Sequence, residues 1–118
     1  MKKILVVDDE ANIRELYRIE LAEEGYDVEV AESGIEALRK VEASRPDLVT
    51  LDVKMPGLDG IEVLRRIRQV DASLPVLLLT AFGEFRHDFN TWASDAYIVK
   101  SADLGELKTT VRKLLGGP

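Results

Sequence analysis

The sequence predicts a single α/β domain: a doubly wound, five-stranded parallel sheet of (βα)5 type with helices on both faces. Five short apolar runs alternate along the 118 residues with segments of helical periodicity. Short βα units of this kind force parallel pairing and right-handed crossovers. The length suffices for a proper hydrophobic core, so we expect one domain over residues 1–118, with 116–118 a frayed tail or the start of a linker.

Composition excludes several classes of function. The chain has no cysteine, which excludes disulfides, thiolate catalysis and Cys-ligated zinc. A net charge of -6 argues against tight nucleic-acid binding by the domain itself. No apolar stretch approaches the roughly 20 residues that a membrane span needs. The N-terminus runs directly into a strand, so we expect no signal peptide and a cytoplasmic protein.

The first two strands differ in their apolar pattern. Residues 4–7 form a continuous apolar run, typical of a strand buried on both faces, and end at an acidic pair. Residues 27–31 alternate polar and apolar, which predicts an edge strand. The helix between them ends at Gly25 in the C′ position. Its apolar residues at helical spacing are Ile13, Leu16, Tyr17 and Leu21.

Two N-terminal caps mark the next helices. Ser33 and Glu36 form a capping box, and Asp59 with Glu62 caps the third helix. The predicted inner faces comprise Ile35, Leu38 and Val41 in the second helix, and Ile61, Leu64 and Ile67 in the third. The predicted solvated face of the third helix carries Arg65, Arg66 and Arg68. Between these helices, the apolar run 48–51 predicts a buried strand that stops at Asp52.

The last third of the chain repeats the alternation. An apolar run over 76–79 ends at Thr80, and residues 96–99 form a fifth strand that ends at Lys100. A fourth helix is predicted between them from an aromatic stripe at helical spacing, Phe82, Phe85, Phe89 and Trp92. Asp103 and Glu106 are predicted to cap the last helix, which turns Leu107, Val111 and Leu114 inward.

Polar residues follow four of the five strands. These are Asp8 and Asp9, Asp52, Thr80, and Lys100. The carboxyl ends of parallel strands share one edge, so these side chains should converge on one rim. For the flavodoxin-like strand order 2-1-3-4-5, which suits an edge position of the second strand, the switch point falls between strands 1 and 3. The three carboxylates therefore meet at the predicted crevice.

These residue types suit phosphoryl transfer. Three carboxylates in one site repel one another unless a cation intervenes, and an all-oxygen site with room for water suits Mg²⁺ or Mn²⁺. Lys100 adds a fixed positive charge, and Thr80 adds a hydroxyl. Phosphoryl transfer needs charge neutralisation and a positioned nucleophile, which Asp52 would supply by forming an aspartyl phosphate.

The chain resembles the CheY-like receiver domains of bacterial two-component response regulators. The resemblance rests on the segments VVDDE, LDVKMPGLDG, LLLTA and DAYIVK, and it covers nearly the whole chain. It implies that a histidine kinase or histidine phosphotransfer protein donates a phosphoryl group from a phosphohistidine. The segments KMPG and GIEVL also resemble the single-domain regulators of sporulation-type phosphorelays.

The resemblance implies a role for each matching residue. Asp52 resembles the phosphoacceptor, with Lys100 as its paired lysine. Asp8 and Asp9 resemble the acids that hold Mg²⁺ together with Asp52, with the backbone carbonyl of Lys54 as a further ligand. The switch residues would be Thr80 and Tyr97. Phosphorylation would then reshape the face made by the fourth helix, the fifth strand and the last helix, which binds an unknown downstream target.

The chain departs from the family pattern after the fifth strand. Such domains usually have Lys-Pro there with a cis bond, whereas this chain has Lys100-Ser101. A cis bond without proline costs about 2.5–4 kcal/mol, so we expect a trans or rearranged loop. The interval from Thr80 to Lys100 is also shorter than usual. This predicts a short or irregular fourth helix, with Trp92 filling the gap.

Two residues near the site are predicted to tune hydrolysis of the aspartyl phosphate. They are Lys54, two residues after Asp52, and Phe82, two residues after Thr80. In the family these two positions affect that rate. Bulky Phe82 could shield the path of the attacking water, which predicts slow dephosphorylation.

Three alternatives remain open at this stage. A small-molecule phosphatase or phosphotransferase using an aspartyl phosphate would want a second acid where this chain has Lys54. A phosphorylation-independent interaction module would not need the intact acid cluster. The chain could also be an N-terminal receiver excised from a larger DNA-binding regulator. A metabolic enzyme is not expected: there is no nucleotide-binding motif, and His87, the single histidine, cannot supply a hydrolase triad.

Overall fold

The computed structural model describes residues 1–81, 95–100 and 104–117, and these form a doubly wound parallel sheet with helices on both faces. The strands are β1 (Lys3–Val7), β2 (Asp27–Ala31), β3 (Leu48–Asp52), β4 (Val76–Thr80) and β5 (Ala96–Val99). The helices of the described ranges are α1 (Ala11–Glu23), α2 (Gly34–Ser44), α3 (Gly60–Val70) and α4 (Gly105–Leu115). The predicted aromatic helix lies outside the described residues, with Phe82, Phe85, His87, Phe89 and Trp92.

The sheet order is β2-β1-β3-β4-β5 and every pair is parallel, which confirms the predicted fold class. β3 and β4 are buried along their whole length, as expected for central strands with helices on both faces. β2 is only partly buried and lies at the edge, as its alternating sequence predicted. The topological switch point therefore falls between β1 and β3.

Alternation along the strands divides the core into two layers. Leu5 and Val7 of β1 face α2 and α3, whereas Ile4 and Val6 face α1 and α4. The same division continues in β3, where Leu51 belongs to the first layer. Helix residues that are almost completely buried close both layers, so in the described part of the chain α2 and α3 cover one face of the sheet and α1 and α4 the other.

The predicted helix ends are confirmed where they depend on local chemistry. The Ser33 hydroxyl accepts a hydrogen bond from the N–H of Glu36 at 3.2 Å, and the Glu36 carboxylate accepts one from the N–H of Glu32 at 3.1 Å. Asp59 caps α3 by accepting from the N–H of Glu62 at 2.9 Å. Gly25 follows α1 with φ 100°, a conformation that favours glycine.

The predicted inner face of α2 is wrong at one position. Ile35 is 63% exposed, and the residues that face the sheet are Gly34, Ala37 and Val41. Gly34 lies so close to α3 that a Cβ there would be 2.6 Å from a methyl group of Val63. Since the close approach of α2 to α3 fixes the rotation of the helix at its first turn, Ile35 points to solvent.

The predicted solvated arginine face of α3 is also only partly correct. Arg65 and Arg66 are exposed and pair with Glu62. Arg68 is largely buried: it donates to the Leu74 carbonyl at 2.6 Å and pairs with Asp95 at 2.8 Å. This arginine therefore ties the C-terminus of α3 to the amino-terminal edge of β4 and β5.

The last helix begins at Gly105, next to residues that the structure does not describe, so the predicted cap at Asp103 stays a prediction. The N-cap residue of α4 is Leu104, which makes no side-chain cap hydrogen bond, while Asp103 lies outside the described residues. The inward residues are as predicted, since Leu107 and Val111 are buried and Leu114 packs on the same layer. Among the described helices, none has the length and apolar character to cross a bilayer.

Candidate functional site

Strand pairing brings the predicted residues to one edge of the sheet. Asp8 continues the ladder beyond β1, because its N–H donates to Ala31 at 3.2 Å. Lys100 continues β5 in the same way, with its N–H 2.7 Å from the Thr80 carbonyl. Asp52 is the last residue of β3. The rim predicted from strand ends is therefore present in the structure.

Three acidic side chains form a compact cluster at this edge. One carboxylate oxygen from each of Asp8, Asp9 and Asp52 lies within 4.8 Å of the other two. Asp8 is 0% exposed and Asp52 is 4% exposed, whereas Asp9 faces solvent. Two acids thus lie below the surface of the crevice, and the third is at its mouth.

Lys100 balances part of this negative charge. Its Nζ lies 2.9 Å from Oδ2 of Asp8 and 3.1 Å from Oδ2 of Asp52, and its side chain is only 19% exposed. Asp8 Oδ1 accepts a hydrogen bond from the N–H of Glu10 at 2.9 Å. Asp8 Oδ2 is buried and accepts no well-directed hydrogen bond in the described part of the chain, so its contact with Lys100 is an ion pair.

The site perturbs the protonation of its buried groups. Burial, followed by the negative charge of Asp8, raises the pKa of Asp52 to about 6, against the opposing effect of Lys100. Burial acts to lower the pKa of Lys100, but its contacts with Asp8 and Asp52 outweigh this effect, and the net pKa is raised. The lysine therefore stays charged at neutral pH, and the carboxylates remain incompletely neutralised without a further cation.

The donor set fits a hard divalent cation. It consists only of oxygens, includes the buried Asp8 Oδ2, which accepts no well-directed hydrogen bond from the described residues, and opens to solvent at Asp9. Such a cation would offset the mutual repulsion of the three acids. Lys54, predicted as a carbonyl ligand, is exposed in the loop two residues after Asp52. These residues could hold the ion with waters completing its shell.

The backbone behind Asp52 is fixed by a close approach of α3. A Cβ on Gly60 would lie 2.3 Å from the carbonyl oxygen of Asp52 and 2.7 Å from Cα of Val53, so only glycine fits. The N–H of Gly60 donates to the Val53 carbonyl at 2.8 Å. The sequence predicts only the cap of this helix at Asp59, because the contact of Gly60 with β3 is tertiary and leaves no local signal.

The predicted switch residues occupy one face of the sheet. Thr80 is 1% exposed, and its hydroxyl donates to the Ala81 carbonyl at 3.2 Å. Tyr97 is half-buried and packs on the layer that faces α2 and α3. Alternation from Leu78, which belongs to the same layer, places Thr80 on this face as well. Phe82, Ser101 and the predicted fourth helix lie outside the described residues.

Sequence reasoning missed three polar residues around the site. Arg14 donates from Nη1 to the Asp8 carbonyl at 2.8 Å. Tyr17 is buried, which raises the pKa of its phenol, and the charges of Lys100, Asp8 and Asp52 also act on it. Thr50 has a buried hydroxyl with no hydrogen-bond partner in the described ranges. Periodicity indicates only that such residues face inward, so no sequence signal distinguished them from core.

Comparison with known proteins defines the class. The family model of the response regulator receiver domain matches residues 4–112, and the chain therefore belongs to this family, as the sequence motifs predicted. The solved structure of the response regulator TrrA from Thermotoga maritima, in complex with Mg²⁺-BeF, is 52% identical with a TM-score of 0.95, covering 98% of this chain and 100% of that chain. TrrA in complex with the histidine kinase ThkA superimposes with a TM-score of 0.91.

Two curated relatives from Bacillus subtilis differ in length. Sporulation initiation phosphotransferase F is 39% identical over 116 residues, which is 97% of this chain and 94% of that protein. The transcriptional regulatory protein PhoP is 43% identical over 119 residues, but the match covers only 48% of PhoP. The chain thus spans nearly all of the first relative and about half of the second.

Proposed function

We propose that this receiver domain accepts a phosphoryl group from a phosphohistidine of a partner protein onto Asp52, in a reaction that depends on Mg²⁺ or Mn²⁺. The proposal depends chiefly on the environment of Asp52. This carboxylate ends a central strand at the switch point, 3.1 Å from the Lys100 ammonium and clustered with Asp8 and Asp9. TrrA, a structural neighbour, was solved with Mg²⁺-BeF and with a histidine kinase, which supports both the cation and the partner.

Each residue has a distinct part in the proposed transfer. An Asp52 oxygen forms the new O–P bond while the P–N bond to the donor imidazole breaks, and the imidazole takes up a proton from solvent. Asp8 and Asp9 hold the cation, which would supply positive charge to the phosphoryl oxygens. Lys100 supplies a second positive charge to the phosphoryl group. The rigid backbone at Gly60 holds the nucleophile in place.

The output of this reaction is a change in conformation. The Thr80 hydroxyl donates to the phosphoryl group, and Tyr97 on the same sheet face follows it inward. The surface formed by the predicted fourth helix, β5 and α4 then binds a downstream target. Lys54 and Phe82 tune the hydrolysis of the aspartyl phosphate, which returns the domain to its unphosphorylated conformation. The domain acts in the cytoplasm. The only reactions that it catalyses are the phosphorylation and dephosphorylation of its own Asp52.

Acetyl phosphate provides a direct test of Asp52 as acceptor. With Mg²⁺ present, intact mass should rise by one phosphoryl group, and EDTA or Asp52→Asn should abolish the gain. Asp59→Asn is a matched control, since this acid is a helix cap away from the acid cluster. Phosphorylation of Asp52→Asn to the level of the unaltered protein would overturn the proposal. Unchanged decay in Phe82→Ala would refute the role of Phe82.

Two placements in signalling are both supported by the relatives. A stand-alone relay protein is favoured by the near-complete coverage of sporulation initiation phosphotransferase F and TrrA. The receiver of a larger DNA-binding regulator is favoured by PhoP, of which the match covers 48%. A stand-alone relay protein would pass its phosphoryl group to a second phosphotransfer protein. Phosphoryl transfer from the purified domain to such a protein, or its absence, separates the two.

A further inference from the structure

Arg14 lies in the first turn of α1 and reaches back to the acidic loop. Its Nη1 donates to the carbonyl oxygen of Asp8 at 2.8 Å, and its side chain is only 17% exposed. Its Nη2 lies 3.9 Å from an oxygen of Glu32, which is mostly exposed. Burial of an arginine side chain costs conformational entropy, and here the guanidinium is held on a main-chain carbonyl of the acidic loop. We therefore ask what this contact contributes to that loop.

Asp8 is held at three points by its surroundings. Its N–H donates to the Ala31 carbonyl, its Oδ1 accepts from the N–H of Glu10, and its carbonyl oxygen accepts from Arg14. Together these bonds fix the peptide on both sides of Cα and one oxygen of the side chain. The remaining oxygen, Oδ2, is the atom directed at Lys100 and the acid cluster.

We propose that Arg14 is a positioning residue for the divalent cation site formed by Asp8, Asp9 and Asp52. Its guanidinium holds the Asp8–Asp9 peptide, and thereby sets the directions of both carboxylates. Outer-sphere groups that orient ligands commonly change metal affinity by 10- to 100-fold when removed. This inference rests on the proposed cation-dependent function and assigns to it a residue outside the acid cluster.

The sign of the effect distinguishes positioning from simple charge. Arg14 is a cation near the site, so on Coulombic grounds its removal should tighten the binding of a divalent ion. Removal of a positioning group should instead weaken binding, because the carboxylates of Asp8 and Asp9 would no longer be held in the geometry that binds the ion and would move apart under their mutual repulsion. Arg14→Lys keeps the charge but loses the planar fork of donors. Positioning therefore predicts weaker binding in both Arg14→Gln and Arg14→Lys.

Mn²⁺ binding followed by electron paramagnetic resonance of the free ion measures this affinity directly. We expect the Kd for Mn²⁺ to rise about tenfold in Arg14→Gln and by a smaller factor in Arg14→Lys. Arg68→Gln is the matched control. Arg68 is 19% exposed and donates to the Leu74 carbonyl, but at the opposite edge of the sheet, so its loss should leave the Kd unchanged.

Urea unfolding in EDTA separates affinity from folding. Arg14→Gln and Arg68→Gln should lower stability to similar extents while only Arg14→Gln weakens Mn²⁺ binding. Equal or tighter binding by Arg14→Gln in a folded protein would overturn the positioning role. If Arg14→Gln does not fold, Arg14→Lys decides by the same criterion. Absence of Mn²⁺ binding by the unaltered protein would instead contradict the proposed function itself.

Discussion

Asp52 is subject to two opposing demands in the metal-free protein. A nucleophilic carboxylate must be ionised, yet burial and the charge of Asp8 raise its pKa to about 6. Lys100 offsets only part of this, because it is shared with Asp8. A bound divalent cation would remove the conflict by neutralising the acids together. The same burial that opposes ionisation leaves Asp52, the proposed phosphoacceptor, only 4% exposed.

The raised pKa of Asp52 predicts how stability depends on pH without metal. In the native state the Asp52 carboxyl stays protonated up to about pH 6, whereas in the unfolded state it ionises near pH 3.8. The free energy of unfolding should therefore fall as pH rises from about 4 to about 6. Asp52→Asn removes this cost. In EDTA the variant should match the unaltered protein near pH 4 and exceed its unfolding free energy by up to about 3 kcal/mol at pH 7.

Urea unfolding between pH 4 and pH 7 measures this difference. Asp59→Asn serves as a control for the loss of one carboxylate, since Asp59 is an exposed helix cap outside the acid cluster and asparagine can still accept the capping hydrogen bond. A difference between Asp52→Asn and the unaltered protein that does not change with pH would contradict the assigned electrostatics of the site.

The buried hydroxyl of Thr50 leads to a second prediction about stability. Its hydroxyl is buried in the layer below Asp52 and has no hydrogen-bond partner in the described residues. Replacing an unsatisfied buried hydroxyl with a methyl of the same shape removes a desolvation penalty. Thr50→Val should therefore raise the unfolding free energy by about 1 kcal/mol, measured in urea. The reverse change Val49→Thr, at a position 0% exposed, should lower it.

At the scale of elements, the junction of β3 and α3 is the most tightly constrained. Gly60→Ala would place a Cβ 2.3 Å from the Asp52 carbonyl oxygen, and relief of this clash would shift the backbone of Asp52, the proposed phosphoacceptor. We expect a loss of about 2 kcal/mol or more in stability and slower phosphorylation by acetyl phosphate. Both are measured on the same preparation, by urea unfolding and intact mass.

Gly57 provides the contrast. It has φ 74° but open space around its Cα, so Gly57→Ala should cost only about 1 kcal/mol of backbone strain. Its phosphorylation rate should be unchanged because the backbone of Asp52 is not displaced. Equal phosphorylation rates in Gly60→Ala and Gly57→Ala would show that the approach of α3 does not position Asp52.

Elements that depend on neighbouring residues were predicted well from sequence. The caps at Ser33 and Asp59 follow from side chains bonding to nearby backbone, and strand ends follow from apolar runs. Predictions failed where distant contacts decide. Ile35 is exposed because α2 rotates to meet α3, and Arg68 is buried because Leu74 and Asp95 lie within its reach.

The candidate site was predictable for a topological reason. Parallel strands end at one edge, so Asp8, Asp52 and Lys100 could be placed together before any contact was known. Residues that support the site from elsewhere in the chain could not be predicted in this way. Arg14 acts through a main-chain carbonyl, and this requires a helix to lie at one particular rotation against the sheet.

For the whole molecule, two ion pairs join the first and last helices. Lys108 pairs with Glu20 at 2.7 Å and Arg112 with Glu24 at 2.9 Å, so side chains of α4 reach the C-terminal part of α1 and the residue that follows it. Both helices cover the face of the sheet on which Ile4, Val6 and Leu48 lie, in the strands that end at Asp8 and Asp52. The acid cluster thus lies at the end of a core layer that both helices close, and cation binding there should be coupled to global stability.

Cation binding should therefore stabilise the whole fold by mass action. A ligand that binds only the native state adds about 1.4 kcal/mol for each tenfold rise in concentration above its Kd. Unfolding free energy measured in urea against Mg²⁺ concentration should show this slope. Asp8→Asn should abolish it, because the variant loses a buried carboxylate oxygen of the proposed cation site. Asp47→Asn should keep it, since Asp47 accepts a hydrogen bond from the Lys3 N–H at the opposite edge of the sheet. Equal slopes in both variants would place the cation elsewhere on the molecule.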